Sequence, residues 1–191
     1  MSVSLSEKMT YLLIDTHNHA LAQTALRNSQ IAFPLKNRRV FSDVDDGWDA
    51  SDFIKIDPIR SVQGYCEFLL KHAWKFVRTE FFVVLQYDGF VLNSNFFSKT
   101  FLDYDYIGAP WPHFDFHKVG NGGFSLRSRR LMQAVEPMLV QQDFLLSEDI
   151  IISLIPRAFE SCESFNSNND VSPNFLRFFI DTLSEEPLTG I

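Results

Sequence analysis

The run FFVVLQ, residues 81–86, constrains this chain more than any other feature. Aromatic and β-branched residues follow one another without polar alternation, so a strand here must be covered on both faces. That places it at the centre of a sheet with helices on either side. It stops at Tyr87-Asp88-Gly89, a turn.

The flanking sequence supplies the other parts. Residues 11–15 read as a buried strand, and residues 19–30 as a helix carrying Ala20, Leu21, Ala25 and Leu26. Residues 39–43 and 53–57 read as two further strands, separated by the acidic turn DVDDGWD. Over residues 61–77, Val62, Cys66, Leu69, Ala73 and Phe76 recur at spacings of four and three, one face of a helix with Ser61 as its cap. A short helix over 94–102, a strand at 106–108, a loop over 110–120, a strand over 122–126 and helices over 128–139 and 147–159 follow. The chain then runs through the polar SFNSNNDVSPN to a last aromatic segment, FLRFFI. Strands alternating with helices predict an α/β fold. At 191 residues, with no internal repeat and no linker, a single domain is expected. In such a sheet ligands sit beyond the carboxyl ends of the strands, which directs attention to residues 15–19, 43–46, 86–93 and the loop around Gly120.

Composition narrows the function. A net charge of −7 argues against a general nucleic-acid binder, which needs an excess of Lys and Arg on one face. Cys66 and Cys162 cannot build a structural zinc site alone and read as small apolar residues in a reducing compartment. The start, MSVSLSEKMT, is not a secretory leader, and no run is apolar enough to span a membrane, so a cytoplasmic protein is expected. This leaves peripheral membrane association open.

Four motifs could carry chemistry. LIDTHNHA sets Asp15, His17 and His19 at alternate positions, a spacing that could chelate a divalent cation. It is similar to the opening of metal-dependent hydrolase barrels, but only His72, His113 and His117 remain as further imidazoles, and His72 lies within the best helix. Acidic pairs at strand ends hold Mg²⁺ or Mn²⁺ against a nucleotide diphosphate. Asp43-Val44-Asp45 resembles a solvated turn and Asp103-Tyr104-Asp105 a strand entry, while the near-copy Gln86-Tyr87-Asp88 ends the central strand. VGNGGFSLRSRR places three glycines in four positions, with Arg127, Arg129 and Arg130 after them, which suits either a phosphate or a tight turn into a strand. Ser147-Glu148-Asp149 is an ordinary helix opening, and also a place where a general base could be presented.

Taken in order, LIDTHNHALA, LQYDGFVLN, FLDYDYIGAPWP, VGNGGFSLRSRRL and SEDI resemble a family of inferred glycosyltransferases carried as a domain of unknown function, similar to the GT-A nucleotide-sugar transferases. The resemblance implies a single-domain GT-A-like Rossmannoid fold, with a mostly parallel central sheet flanked by helices. Its nucleotide-binding half would cover about residues 10–93 and its acceptor and catalytic half about 94–191. It implies transfer of a sugar from a nucleotide-diphosphate donor to a glycan, lipid-linked or protein acceptor. Asp15, Thr16, Asn18, Gln86, Asp88 and Arg127 would then contact the donor, with Asp88 also the candidate metal ligand. Trp111, Asn121, Gly122 and Gly123 would shape the acceptor side. Glu148-Asp149 would match the acidic motif of inverting members, making Asp149 the base of an in-line displacement, while a cation or Arg127 stabilises the leaving diphosphate. Gln86 replaces the first acid of the Asp-x-Asp and no His follows His117, which leaves dependence on Mn or Mg open. The alternatives are a metal-dependent hydrolase using Asp15, His17 and His19, and a non-catalytic nucleotide- or sugar-binding module.

Overall fold

The computed structural model describes residues 5–110 and 119–141, together with Glu148 and Ile152. The helix expected over 147–159 lies outside the described residues but for those two, and the polar loop and last aromatic segment lie outside altogether.

The described chain is mixed α/β. A one-turn helix α1 (Leu5–Lys8) leads into β1 (Met9–Ile14), and α2 (His19–Ala32) follows. Then come β2 (Asn37–Ser42), β3 (Phe53–Lys55), α3 (Val62–Lys71), β4 (Phe81–Leu85), β5 (Tyr106–Pro110), β6 (Val119–Ser128) and α4 (Arg129–Val135). The six strands form one sheet in the order β3-β2-β1-β4-β6-β5. β3, β2, β1 and β4 are mutually parallel, and β6 runs antiparallel between β4 and β5.

FFVVL forms β4, buried along its whole length. Alternate residues serve opposite faces, as the pleat requires. Phe82 and Val84 join Leu12, Ile14, Leu69, Leu70, Leu131 and Met132 in the core under α3 and α4. Phe81, Val83 and Leu85 join Tyr11, Leu13, Ala22 and Leu35 in the core under α2. Helices therefore cover both faces of the sheet, and among the described residues no helix is long and apolar enough to cross a membrane.

Four expected elements differ, one of them the helix expected over 128–139, which is α-helical over Arg129–Val135 and continues as a 3₁₀ turn over Glu136–Gln141. The helix expected over 61–77 stops at Lys71, and the chain tightens into a 3₁₀ turn, Ala73–Phe76, with Trp74 Nε1 donating to Leu70 O at 2.9 Å. The helix expected over 94–102 is two 3₁₀ turns, Ser94–Phe96 and Lys99–Asp103. Asn93 Oδ1 and Ser98 Oγ accept from backbone amides two residues on, a local bond that competes with an α-helix. Part of the loop expected over 110–120 is strand: β6 begins at Val119, and Pro110 pairs with Val119 and Ala109 with Asn121. Glycine and asparagine give no hydropathy alternation, so this stretch of the ladder had no pattern to read.

Candidate functional site

The strand order sets where a ligand can sit. Connections from β1 run outward to β2 and β3, and the chain then returns to the other side of β1 at β4. Beyond the carboxyl ends of β1 and β4 lies the switch point of the sheet, where open α/β folds leave a crevice. A cleft of ≈400 Å³ opens there, lined by residues 14–18, 59–62, Tyr65, Gln86 and Tyr87.

The stretch DTHNH turns the corner from β1 into α2 and divides its polar groups among separate tasks. Asp15 is buried; its Oδ1 accepts from the amides of His17 (3.0 Å) and Asn18 (2.7 Å), while its own N–H donates to Phe41 O. Thr16 Oγ1 accepts from Ile59 N–H at 3.1 Å and lies 3.3 Å from Ile59 O, fastening the β3–α3 connection to the end of β1. Asn18 caps the start of α2 without a side-chain bond to its amides. His17 lines the cleft, with Nδ1 3.1 Å from Thr16 Oγ1. His19 instead lies 2.8 Å from Asp43 in the acidic turn. That hydrogen bond is the main reason the Asp43 carboxyl stays below its usual range. Among the described residues no three His, Cys, Asp or Glu side chains gather as a metal ion would need.

At the end of β4, Gln86 lines the cleft and Asp88 does not. Gln86 and Gly89 exchange backbone hydrogen bonds of 3.0 and 3.2 Å, which lifts Tyr87 and Asp88 to the exposed tip of a tight turn. The turn leans on β6: a Cβ on Gly89 would lie 3.1 Å from both Gly123 O and Phe124 Cβ.

Behind the cleft sits a buried ion pair. Arg127, on β6, is 0% exposed, and its Nη2 donates to Glu148 Oε1 at 3.0 Å and to Gly122 O at 3.3 Å. Nε donates to Ser125 Oγ at 2.9 Å, and the guanidinium carbon stands 5.3 Å from the Tyr106 ring centroid. Burial disfavours the Arg127 charge, but Tyr106, Glu148 and Tyr65 outweigh it and raise its pKa. Glu148 is tied to α3 as well: Cys66 Sγ donates to Oε2 at 3.4 Å, and Glu148 N–H donates back to Cys66 Sγ at 3.3 Å. Gly122 makes room for the pair, since a Cβ there would fall 2.1 Å from Glu148 Oε1 and 2.8 Å from Arg127 Nη2.

Tyr65 joins the two regions. It lines the cleft; among the described residues its buried hydroxyl has no hydrogen-bond partner, and the Gln86 side chain lies close enough to act against the rise in its pKa. Burial, with the Glu148 charge second, pushes its phenol far above the usual range, so it keeps its proton.

Of the residues expected to touch a donor, Asp15, Thr16, Asn18 and Gln86 thus line one cleft. Asp88 sits on the adjacent turn tip, and Arg127 lies in the buried pair with Glu148. Gly122 and Gly123 are within β6, against Glu148 and Gly89 respectively. Asn121 is in β6 opposite Ala109, and Trp111 and Asp149 lie outside the described residues, as do His113, His117 and Cys162. Asp105, the second acid of DYD, accepts from Ser128 Oγ and Arg130 Nε and is 3% exposed.

Sequence reasoning did not single out Ile59, Arg60 or Tyr65, and read Ser61 only as a helix cap. The signal existed: residues 53–57 read as a strand, and the rule that points to carboxyl ends applies equally to the segment leaving it.

No curated protein matches the chain. A family model covers residues 50–171, which includes the Ile59–Tyr65 wall of the cleft, Gln86, Arg127 and Glu148, while Asp15 to Asn18 precede it. The chain therefore belongs to the family described as protein of unknown function DUF5672.

Proposed function

We propose that this chain is a glycosyltransferase of GT-A-like fold that takes its sugar from a nucleotide-diphosphate donor bound at the switch-point cleft. The observation that carries the reading is convergence: three segments distant in sequence, around Asp15 to Asn18, Ile59 to Tyr65 and Gln86, line one crevice of ligand size where β1 and β4 part. A neutral Tyr65 hydroxyl and the Gln86 amide on the same wall offer a donor and an acceptor for a neutral polar group such as a nucleobase or ribose. In the proposed reaction Asp149 takes the acceptor hydroxyl proton as that oxygen bonds the anomeric carbon. The bond from that carbon to the diphosphate oxygen breaks, and the diphosphate leaves with the electron pair. Glu148 is read as a structural partner of Arg127 rather than as a second base, because its carboxylate is already bound on both oxygens.

The test is release of free sugar and nucleotide diphosphate from UDP- and GDP-sugars by the whole chain, in wild type and in Asp149→Asn. Turnover by wild type that falls by about 10²-fold or more in the variant, with nucleotide binding retained, is expected for loss of a general base. Equal turnover in both would remove Asp149 from the mechanism, and failure to bind any nucleotide would end the transferase reading.

A further inference from the structure

The cleft's charge does not follow that of the chain. The protein carries a net −7, yet the ionisable side chains lining this crevice are Asp15, His17, Arg60, Tyr65 and Tyr87. Asp15 has one carboxylate oxygen fixed on two backbone amides, and Tyr65 stays neutral. Arg60 is exposed, lines the cleft and makes no ion pair among the described residues. Arg127, the cation the sequence suggested for a diphosphate, is fully buried against Glu148.

Arg60 stands just before the opening of α3. Ser61 caps that ten-residue helix through Gly64 N–H, and its first turn holds no acid to complement the positive end of the dipole. Val62 is 66% exposed, so the opening turn faces solvent at the mouth of the crevice. The Tyr65 hydroxyl, without a hydrogen-bond partner among the described residues, lies one turn further along the same helix. A planar guanidinium whose donors make no side-chain bond among the described residues, beside an acid-free helix start, fits a phosphate oxygen pair.

Resting on the donor-cleft reading, the geometry points to Arg60 as the group that holds the donor's diphosphate, with the opening turn of α3 beside it, so that a divalent cation is not required for binding. Asp88 and the acidic turn at Asp43 are not part of the cleft wall, and Gln86 is uncharged. Among the described residues of the wall the one carboxylate, Asp15, would repel a diphosphate unless a cation faces it, and Arg60 is the one Lys or Arg there.

Calorimetric titration of the full chain with UDP, GDP and inorganic pyrophosphate, each in EDTA and again with Mn²⁺, tests this. Expected is binding of at least one nucleotide in EDTA, weakened about tenfold or more by Arg60→Ala and less by Arg60→Lys. The nucleoside without phosphates should bind wild type and Arg60→Ala alike. Because Arg60 is exposed and makes no ion pair among the described residues, Arg60→Ala should melt with wild type. A nucleotide that binds only with Mn²⁺, or that binds Arg60→Ala as tightly as wild type, overturns the Arg60 assignment while leaving the donor cleft standing. No binding of any nucleotide in either condition removes both.

Discussion

Arg127 and Glu148 form the most demanding contact in the described chain, because two charges have left water together. Such a pair is held by what surrounds it: removing one member leaves an uncompensated buried charge, at about 3–5 kcal/mol, whereas replacing both with apolar residues of similar size can be neutral. Glu148→Ala should therefore destabilise by about 3–5 kcal/mol in urea denaturation, and Arg127→Met combined with Glu148→Leu should recover most of the loss. If the double variant is as unstable as the single one, the ion pair itself is required. Gly122→Ala tests the same geometry from the other side. Its methyl would stand 2.1 Å from Glu148 Oε1 and 2.8 Å from Arg127 Nη2. A cost of roughly 2–4 kcal/mol is expected, and a loss below about 0.5 kcal/mol, the range of ordinary surface changes, would mean that the pair moves aside freely. The DTHNH motif makes its own test through Asp43. Hydrogen bonding from His19 lowers the Asp43 carboxyl below its usual value of 3.8. A lowered folded-state pKa contributes stability that is fully present above 3.8 and is lost as pH falls through the folded value. In His19→Ala the Asp43 carboxyl, followed by NMR, should titrate back at its ordinary position. An unchanged titration would assign the shift to the backbone of the turn.

At the scale of elements, α3 shapes one side of the cleft, since its opening turn and Tyr65 form one wall. Its start depends on Ser61, whose Oγ accepts from Gly64 N–H at 3.0 Å. Ser61→Ala should cost about 1 kcal/mol and weaken ligand binding by loosening Arg60 and Tyr65 together. Thermal denaturation matching wild type would show that the helix holds without its cap. This helix also shows what could be read in advance. The spacing of Cys66 and Leu69 and the capping serine give its start and its buried face, but nothing in that spacing marks the change at Lys71: the tighter turn buries Ala73 and Trp74 and leaves Phe76, like Val62 at the other end, exposed where the spacing placed both on the buried face. β4 was legible for the opposite reason: a run without polar residues has one home in a small sheet. β6 was legible only from Gly122 onward, since its first residues pair through backbone alone. The ion pair was not legible at all, because Arg127 and Glu148 are 21 residues apart and each has an ordinary local explanation. In Asp15 and Thr16 the site was seen but only half of its chemistry. Their spacing suggested ligands, whereas their side chains also close the turn that carries them.

At the scale of the molecule, the cleft lies beyond the carboxyl ends of β1 and β4, so a ligand there would bridge the β1–α2 corner, the β3–α3 connection and the turn after β4. Thr16 to Ile59 is the fastening between the β1 end and the β3–α3 connection, and the Gln86 side chain lies close to Tyr65. A ligand spanning these groups should therefore stabilise the whole fold and order the cleft wall in particular. With nucleotide at about 100 times its Kd, linkage gives close to 2.7 kcal/mol. For a domain of this size that corresponds to a rise in Tm of roughly 5–10 °C. Hydrogen exchange locates the effect. Amides of residues 15–19, 59–65 and 86–89 should be protected by the nucleotide, while those of α4, which packs under the sheet away from the crevice, should change only as much as global stability requires. Protection centred on α4 or on the β5 edge, with the cleft wall unchanged, would place the ligand elsewhere and separate the switch-point crevice from the activity proposed for it.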